Sequence, residues 1–149
     1  MKNNKSIRHI LMSIKPKFVK EIFKGCKTFE FRKQLIKQES DQVIIYETCP
    51  TKKIVGYFKF TPPLVGTPQE IWGHCKNTAG ISKEEFFSYY KNAPLAFAYP
   101  IKDVRILEEP QDPQKIWDSF NAPQSYKYID GGLLNEEFCN LVYNSRIRK

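Results

Sequence analysis

The N-terminal part of the chain passes from an apolar run with strand-like spacing to a segment with helical spacing. The run in residues 8–14 predicts a first strand, and Lys15 followed by Pro16 predicts entry into a helix, because proline is favoured in the first helical turn. Apolar residues then recur at helical spacing, and Gly25 is a typical helix terminator. The pattern therefore predicts a helix over residues 16–24.

Residues 28–33 alternate between apolar and polar side chains, which is the pattern of a half-buried strand. Phe29 and Phe31 fall on one face of this strand. Glu30 and Arg32 fall on the opposite face, and because they are two residues apart they project from the same side. We expect these two side chains to point into one cleft.

Beyond residue 41 the pattern predicts a hairpin followed by shorter elements. A nearly continuous apolar run over 42–48 predicts a strand that is covered on both faces, and residues 53–61 predict its hairpin partner. Pro100 within the apolar stretch 95–107 predicts an edge strand or a bulge, since proline cannot donate to a ladder. The other predicted elements are a helix over 68–76, a helix that opens at Ser82, a helix over 112–120, a loop over 121–132 and a final helix over 133–143.

The order of these elements predicts an α+β domain built on a small open β-barrel, with the helix over 16–24 plugging or flanking it. The length of 149 residues fits one domain that can bury its own core. A transmembrane helix is not predicted, because no run of about 18 apolar residues exists. The apolar stretch 10–14 is too short for a signal peptide, so we expect a soluble, cytoplasmic protein.

Positive charge is concentrated at the start of the chain. The net charge is +8, from 24 Lys and Arg against 16 Asp and Glu. Residues 1–37 contain 11 basic and two acidic residues, so this segment carries +9 and the remaining 112 residues carry −1. Such a local positive field suits a polyanion, with nucleic acid first. A solvated lysine surface that keeps the domain soluble explains the same count.

The cysteines and histidines predict no metal site and no cofactor. The chain has four cysteines and two histidines, and no cysteine pair has the C-x-x-C spacing of a zinc site or a redox pair. His74 and Cys75 are adjacent, so on a helix or strand their side chains point in different directions. The cysteines are interpreted as reduced, mostly buried small residues.

Two motifs in order give the chain a resemblance to a known family. Residues 13–16 read S-I-K-P at the end of the first strand, and residues 25–33 read G-C-K-T-F-E-F-R-K. The pattern S-I-K-P, then G-x-K, then E-x-R resembles the ASCH domain of the PUA-like superfamily, in particular small bacterial or prophage-type ASCH proteins. The resemblance spans residues 8–107 and implies a PUA-like fold. Residues 108–149 are expected to form a mostly helical C-terminal extension that packs on the same domain.

The resemblance implies that the protein binds RNA, or a nucleotide or modified base, in a basic cleft, in regulation of transcription or in RNA metabolism; DNA is a second candidate partner. A glutamate accepts from the amino group of cytosine or adenine, and a basic side chain donates to base carbonyls or phosphate. An aromatic ring such as Tyr46 or Tyr57 can stack on a base. Alternatively, Glu30 and Arg32 form a simple ion pair. The expected ligand-binding residues are Lys15, Lys27, Glu30, Arg32, Tyr46 and Thr48, and the expected phosphate contacts are Lys17, Lys20 and Lys24.

Two enzymatic alternatives stay open. In some similar bacterial proteins a lysine, a threonine three residues later and a downstream glutamate deacetylate N4-acetylcytidine. Lys27 matches that lysine, but the threonine position holds Glu30 and the glutamate position falls near Ala79, which argues against this chemistry. A ribonuclease would use Lys27 and Glu30 as base and acid, with Arg32 as phosphate clamp. A regulatory module that binds an acidic protein is a further alternative.

Overall fold

The computed structural model describes residues 8–37, 40–115, 117, 119–130, 140 and 142–148, and every structural statement below refers to these residues. Eight strands and three complete α-helices make up the described regular structure, together with 3-10 turns at Lys76–Thr78 and Pro113–Lys115 and helical residues at 140 and 142–144. In chain order, the elements are β1 (Arg8–Ile14), α1 (Pro16–Phe23), β2 (Phe29–Arg32), β3 (Gln42–Glu47), β4 (Lys53–Lys59), β5 (Leu64–Gly66), α2 (Pro68–Cys75), α3 (Lys83–Tyr89), β6 (Ala96–Pro100), β7 (Lys102–Gln111) and β8 (Tyr126–Asp130).

The strands form two sheets. The larger sheet has the order β7-β4-β3-β1-β8, in which β1 and β3 are parallel and the other neighbours are antiparallel. The smaller sheet has the antiparallel order β2-β6-β5. The α+β prediction is confirmed, as is the β3–β4 hairpin. The predicted barrel is not confirmed, because the five-stranded sheet ends at β7 and β8 and does not close on itself.

The five-stranded sheet is covered on both faces, which explains the apolar runs in its central strands. Ile10 and Met12 of β1 belong to a core cluster that also contains the apolar side of α1. Leu11, between them in sequence, belongs to a second cluster on the other face, together with Ile44 and Tyr46 of β3. A strand that is buried on both faces has no polar alternation. The prediction of a strand covered on both faces at residues 42–48 is therefore confirmed.

Helix α1 forms as the sequence predicts, within one residue of the expected end. Pro16 opens it and Lys15 is its N-cap residue. Val19 and Ile22 are buried against the sheet, so the lysines of the helix lie on its outer side. Gly25 follows with a φ of +82°, a left-handed conformation that favours glycine and turns the chain towards β2.

The largest error of the sequence prediction is β8, which lies within the segment predicted as a loop. This strand pairs antiparallel with β1, with Tyr126 opposite Met12 and Tyr128 opposite Ile10. The partner strand lies more than 100 residues earlier, so local pattern alone does not predict the pairing. The helix predicted over 112–120 appears, in the part that the structure describes, only as a 3-10 turn. The helix predicted over 133–143 lies mostly outside the described residues.

None of the helices in the described residues is both long enough and apolar enough to cross a membrane.

Candidate functional site

A cavity of about 410 Å³ lies where the C-terminal end of β1, the first turn of α1, β2 and α3 meet. Its walls include the apolar and aromatic side chains of Phe18, Phe31, Ile81 and Tyr89. Its polar lining contains the residues of both sequence motifs and part of the segment that leads into β8. These polar residues are Ser13, Lys15, Lys27, Glu30, Arg32, Thr48, Glu85, Gln124 and Ser125.

Glu30 is the buried carboxylate of this cavity, with 6% of its surface exposed. Its Oε2 accepts hydrogen bonds from Arg32 Nη2 at 2.7 Å and from Arg32 Nε at 3.1 Å. Its Oε1 is buried as well and accepts no hydrogen bond from any residue that the structure describes. Since a buried polar atom without a partner costs free energy, this oxygen marks the position where a ligand donor would be favoured.

Arg32 connects three parts of the chain. Besides Glu30, its guanidinium donates to the backbone oxygen of Ser13 at 3.1 Å and to Ser125 Oγ at 3.0 Å. Ser13 in turn donates through Oγ to the backbone oxygen of Pro123. Most donors of Arg32 are therefore used within the protein, so its main role is to hold Glu30 and the segment before β8 in place. The ion pair and the cleft, which the sequence left as alternatives, are both present.

Lys27 is the buried cation of the cavity, with 3% of its surface exposed. Its Nζ donates to the backbone oxygen of Ala79 at 3.0 Å and lies 4.6 Å from the ring centroid of Phe31. Burial lowers the pKa of Lys27, while the charge of Glu30 opposes this shift and that of Arg32 adds to it. An ammonium has three hydrogens, so Lys27 can donate to a ligand in the cavity while it keeps its bond to Ala79.

The local sequence explains why Lys27 points inward. Backbone bonds from Cys26 and Lys27 to the carbonyl of Glu21 continue the end of α1. The neighbouring Thr28 is fixed to Thr78 by a backbone bond of 2.9 Å and by a hydroxyl contact of 2.6 Å. Gly80 has a φ of +67°, and a Cβ there would overlap the Lys27 side chain. The glycine therefore leaves the space that the lysine occupies.

The mouth of the cavity has charged groups of both signs. Lys15 is exposed beside the start of α1, and Thr48 is held by a bond from its backbone N–H to the carbonyl of Ile14 at 3.0 Å. Lys17 Nζ lies 2.5 Å from Glu85 Oε2 across the gap between α1 and α3. The cavity thus brings together five of the six predicted ligand-binding residues, namely Lys15, Lys27, Glu30, Arg32 and Thr48.

Tyr46 is the predicted ligand-binding residue that the structure does not bring to the cavity. Its neighbour Ile45 faces the α1 side of the sheet, so Tyr46 faces the other side, where its ring packs 5.4 Å from that of Phe120. Tyr57 also lies on that side, against Tyr143. The alternation of a strand buried on both faces explains this placement, because adjacent side chains point in opposite directions.

The predicted phosphate contacts lie on α1 outside the cavity lining. Lys17 is paired with Glu85, and Lys24 lies 3.2 Å from Glu21 one turn earlier in the helix. Lys20 lies on the exposed side of the same helix. Among the described residues, no group of three or more His, Cys, Asp and Glu side chains could hold a metal ion.

Sequence reasoning missed the wall residue Tyr89 and the two lining residues Gln124 and Ser125. Tyr89 lies at the end of α3, and its position at the cavity depends on how α3 packs against the β2 sheet, which no local pattern encodes. Gln124 and Ser125 fall in the segment predicted as a loop, which gave no signal that they reach the cavity.

Comparison with known proteins places this fold and site in a family. The ASCH domain profile matches residues 12–105. An ASCH domain-containing ribonuclease from Zymomonas mobilis is 26% identical over 125 residues, which cover 82% of this chain and 84% of that protein. Large ribosomal subunit protein uL22 from Ureaplasma parvum serovar 3 is 27% identical over 129 residues, which cover 86% of this chain but only 41% of that longer protein.

The structural comparison agrees with the sequence comparison. The crystal structure of ASCH from Zymomonas mobilis superposes with a TM-score of 0.80 and 25% identity, covering 93% of this chain and 96% of that one. The matched profile begins at the end of β1 and includes Lys15, Lys27, Glu30 and Arg32. The chain belongs to the ASCH domain family.

Proposed function

We propose that the protein binds RNA by holding one unpaired base in the cavity between β1, β2 and α3. The observation that carries the proposal is the buried Oε1 of Glu30, an acceptor with no partner in the described chain, beside the buried ammonium of Lys27. The volume of about 410 Å³ lies within the range of small-ligand pockets. A carboxylate and a cation that line the same cavity match a base edge that presents a donor next to an acceptor.

The cavity walls suit the rest of a base. Phe18, Phe31 and Ile81 give apolar surface for the faces of a planar ring, and Tyr89 stands partly exposed at the opening. Glu30 Oε1 would accept from an amino or ring N–H group, and Lys27 would donate to a carbonyl or ring nitrogen. Lys15, exposed at the rim, is placed to meet the phosphate of the same nucleotide.

One comparison and the charge distribution support RNA. A relative aligned over 82% of this chain and 84% of its own length is named as a ribonuclease. The concentration of +9 in residues 1–37, which include β1, α1 and β2, adds an attraction for a phosphate backbone. A role in regulation of transcription or in RNA metabolism follows from the same binding.

Hydrolysis of RNA is the second candidate, because one similar protein is named as a ribonuclease. In this version the neutral amine of Lys27 would take the proton of a 2′-hydroxyl, whose oxygen attacks the adjacent phosphorus and forms a cyclic phosphate. Glu30 would serve as the general acid that delivers a proton to the departing 5′-oxygen. The lowered pKa of Lys27 favours its role as base.

Deacetylation of N4-acetylcytidine is not proposed. The position where the resemblance expects a threonine nucleophile holds Glu30, which is bound to Arg32. The position where it expects an assisting glutamate falls at Ala79, whose backbone oxygen accepts from Lys27. Of the three groups, only the lysine is present.

The binding proposal is tested by titrating fluorescently labelled short RNAs and, by calorimetry, the four nucleoside monophosphates. We expect affinity for RNA to fall steeply with salt, with a logarithmic slope of about 0.7 for each phosphate contacted. Glu30→Gln should weaken binding about 10- to 150-fold, because a charge-assisted hydrogen bond contributes about 1.5–3 kcal/mol. Glu109→Gln, an exposed acid on β7, is the matched control and should bind as the parent does.

Absence of salt-dependent binding to every RNA and nucleotide would contradict the binding proposal. Gel analysis of the same labelled RNAs separates binding from hydrolysis. Cleavage that disappears in Lys27→Met and persists in Lys91→Met would support the ribonuclease candidate. Binding without cleavage would support the binding proposal and contradict the ribonuclease candidate.

A further inference from the structure

The cavity that contains Lys27 and Glu30, here called the base cavity, is followed by two further cavities. A second cavity of about 380 Å³ shares Arg32, Tyr89 and Ser125 with the lining of the first. A third, of about 600 Å³, shares Lys33 and Tyr126 with the second. Because each cavity shares lining residues with the next, the three adjoin in a row from the base cavity to β8, at the edge of the five-stranded sheet. We call the part beyond the base cavity the β8 groove.

We propose that the β8 groove binds the nucleotides that flank the held base in single-stranded RNA. This inference rests on the proposed function and extends it from one base to a strand. It defines the substrate class as unpaired RNA of several nucleotides, rather than a free nucleoside or a duplex.

Two aromatic side chains of β8 line the far end of the groove. Tyr126 and Tyr128 are two residues apart on β8 and therefore share one face of the strand. Their ring centroids are 5.7 Å apart and the rings are nearly perpendicular, at 85°. Both rings are half-buried against the core cluster that contains Ile10 and Met12, so one part of each ring is anchored and the rest lies in the groove. Rings at this angle offer one base a face to stack on and an edge beside it, and stacking of this kind needs no particular base.

Cations lie between and beside these rings. Lys33 Nζ is 4.7 Å from the ring centroid of Tyr89, at the junction with the base cavity. Lys37 is exposed in the lining of the third cavity. The Arg8 guanidinium is 5.9 Å from the ring centroid of Tyr128. Among the described residues, neither cavity of the β8 groove is lined by an acidic side chain, so the charges of Lys33 and Lys37 attract phosphates to it.

The floor of the groove is held in place by buried hydrogen bonds. The Tyr99 hydroxyl accepts from the Ile36 backbone N–H at 2.7 Å and donates to the Gln34 carbonyl at 3.0 Å. The Tyr90 hydroxyl donates to the Arg32 carbonyl at 2.9 Å. The segment that presents Lys33 and Lys37 is therefore fixed before a strand arrives, which lowers the entropy cost of binding.

The test compares RNA of increasing length. We expect affinity to rise from a nucleoside monophosphate to an oligonucleotide of about three or four residues and then to level off. The double variant Tyr126→Leu with Tyr128→Leu keeps apolar contact with the core but removes both rings. It should lose about 5- to 150-fold in affinity for a tetranucleotide, which corresponds to the loss of one stacked base, and should bind the mononucleotide as the parent does.

The charge contribution has its own matched pair of variants. Lys33→Gln with Lys37→Gln should lower the logarithmic salt slope by about 1.4, from two phosphates at about 0.7 each. Lys59→Gln with Lys102→Gln removes the same charge from adjacent strands β4 and β7 at the opposite edge of the sheet. This control should leave the slope and affinity unchanged.

The outcomes separate the groove from the base cavity. A tetranucleotide that binds no tighter than its mononucleotide overturns the groove and leaves the base cavity standing. Length-dependent binding that fails in the tyrosine variant but survives Glu30→Gln supports the groove and refutes the base cavity. Equal affinity for duplex RNA or for polyglutamate shows a general polyanion surface and overturns the inference. Photocrosslinks from 5-iodouridine RNA are expected at Tyr126 or Tyr128, and crosslinks confined to other surfaces contradict it.

Discussion

Glu30 and Lys27 are both buried and line the same cavity, but they differ in their hydrogen-bond partners. Glu30 has one oxygen bound twice by Arg32 and the other without a partner in the described chain. The Lys27 ammonium has one protein acceptor, the Ala79 carbonyl, and it lies over the rings of Phe18 and Phe31. A ligand can therefore gain a carboxylate acceptor and an ammonium donor without breaking an existing bond, while Arg32 has few donors to offer.

Replacement of Lys27 by methionine is expected to separate binding from stability. The substitution removes the donor to the ligand, so RNA affinity should fall at least tenfold. It also removes a charge whose burial is unfavourable, so the melting temperature should stay equal or rise near neutral pH. Lys91→Met, at an exposed position, is the control and should change neither property.

The difference in stability between parent and Lys27→Met should also depend on pH, with a defined sign. The pKa of Lys27 is lowered in the folded state from 10.5, so between the two pKa values the unfolded chain binds more protons than the folded one. The stability of the parent relative to the variant therefore rises with pH in that window. Thermal melts from about pH 7 to about pH 10 measure it, and a gap that widens in favour of the variant would contradict the burial argument.

Individual elements were predictable where their pattern is local. A periodic run combined with a specific turn signal predicted three features, namely the S-I-K-P turn into α1, the terminator Gly25 and the β3–β4 hairpin. α3 begins after Ser82, as the sequence predicts, and the Ser82 side chain accepts from the Glu85 N–H. β8 was not predicted, because it pairs with a strand far along the chain and an alternating five-residue segment alone is a weak signal.

Gly80 offers a test of how α1 and the turn after α2 together position Lys27. Gly80→Ala imposes a left-handed φ on alanine and forces its Cβ into Lys27, so it should destabilise the fold and weaken RNA binding together. Gly25→Ala is the matched control, because its φ is also left-handed but its Cβ would meet open space. It should cost only about 1–2 kcal/mol and leave affinity unchanged. Chemical denaturation and RNA titration of both variants decide the point.

On the scale of the whole molecule, the site lies between the two sheets, with α1 and α3 on either side. The sequence placed Lys27, Glu30 and Arg32 together because all three lie within six residues around one turn and one strand. It could not place Tyr89 or Ser125, which reach the cavity only through the packing of α3 and through β8. Tyr46 was misplaced for the same reason, since periodicity does not tell which face of a doubly buried strand meets the ligand.

The C-terminal extension is expected to be indispensable to the domain. Phe120, Ile129 and Val142 are buried in the cluster that contains Leu11 and Ile44. Each contributes about 1.5–3 kcal/mol of burial, so their joint loss is comparable to the whole stability of an ordinary domain. A chain cut after residue 111 should therefore unfold or associate. Circular dichroism and size-exclusion chromatography test this, and a cooperative melt at the full-length temperature would contradict it.

The bonds of Arg32 bear on how this site could be transplanted into another scaffold. A graft of the family-matched residues 12–105 would contain both motifs but would omit Ser125, which accepts from Arg32, and Pro123, which accepts from Ser13. The arginine would then lack one of its anchors, and the orientation of Glu30 would depend on whatever the new host supplies. The smallest portable unit therefore extends past the motifs, through the start of β8 and into the buried C-terminal extension, and a designer or a recombination event would have to move that length intact.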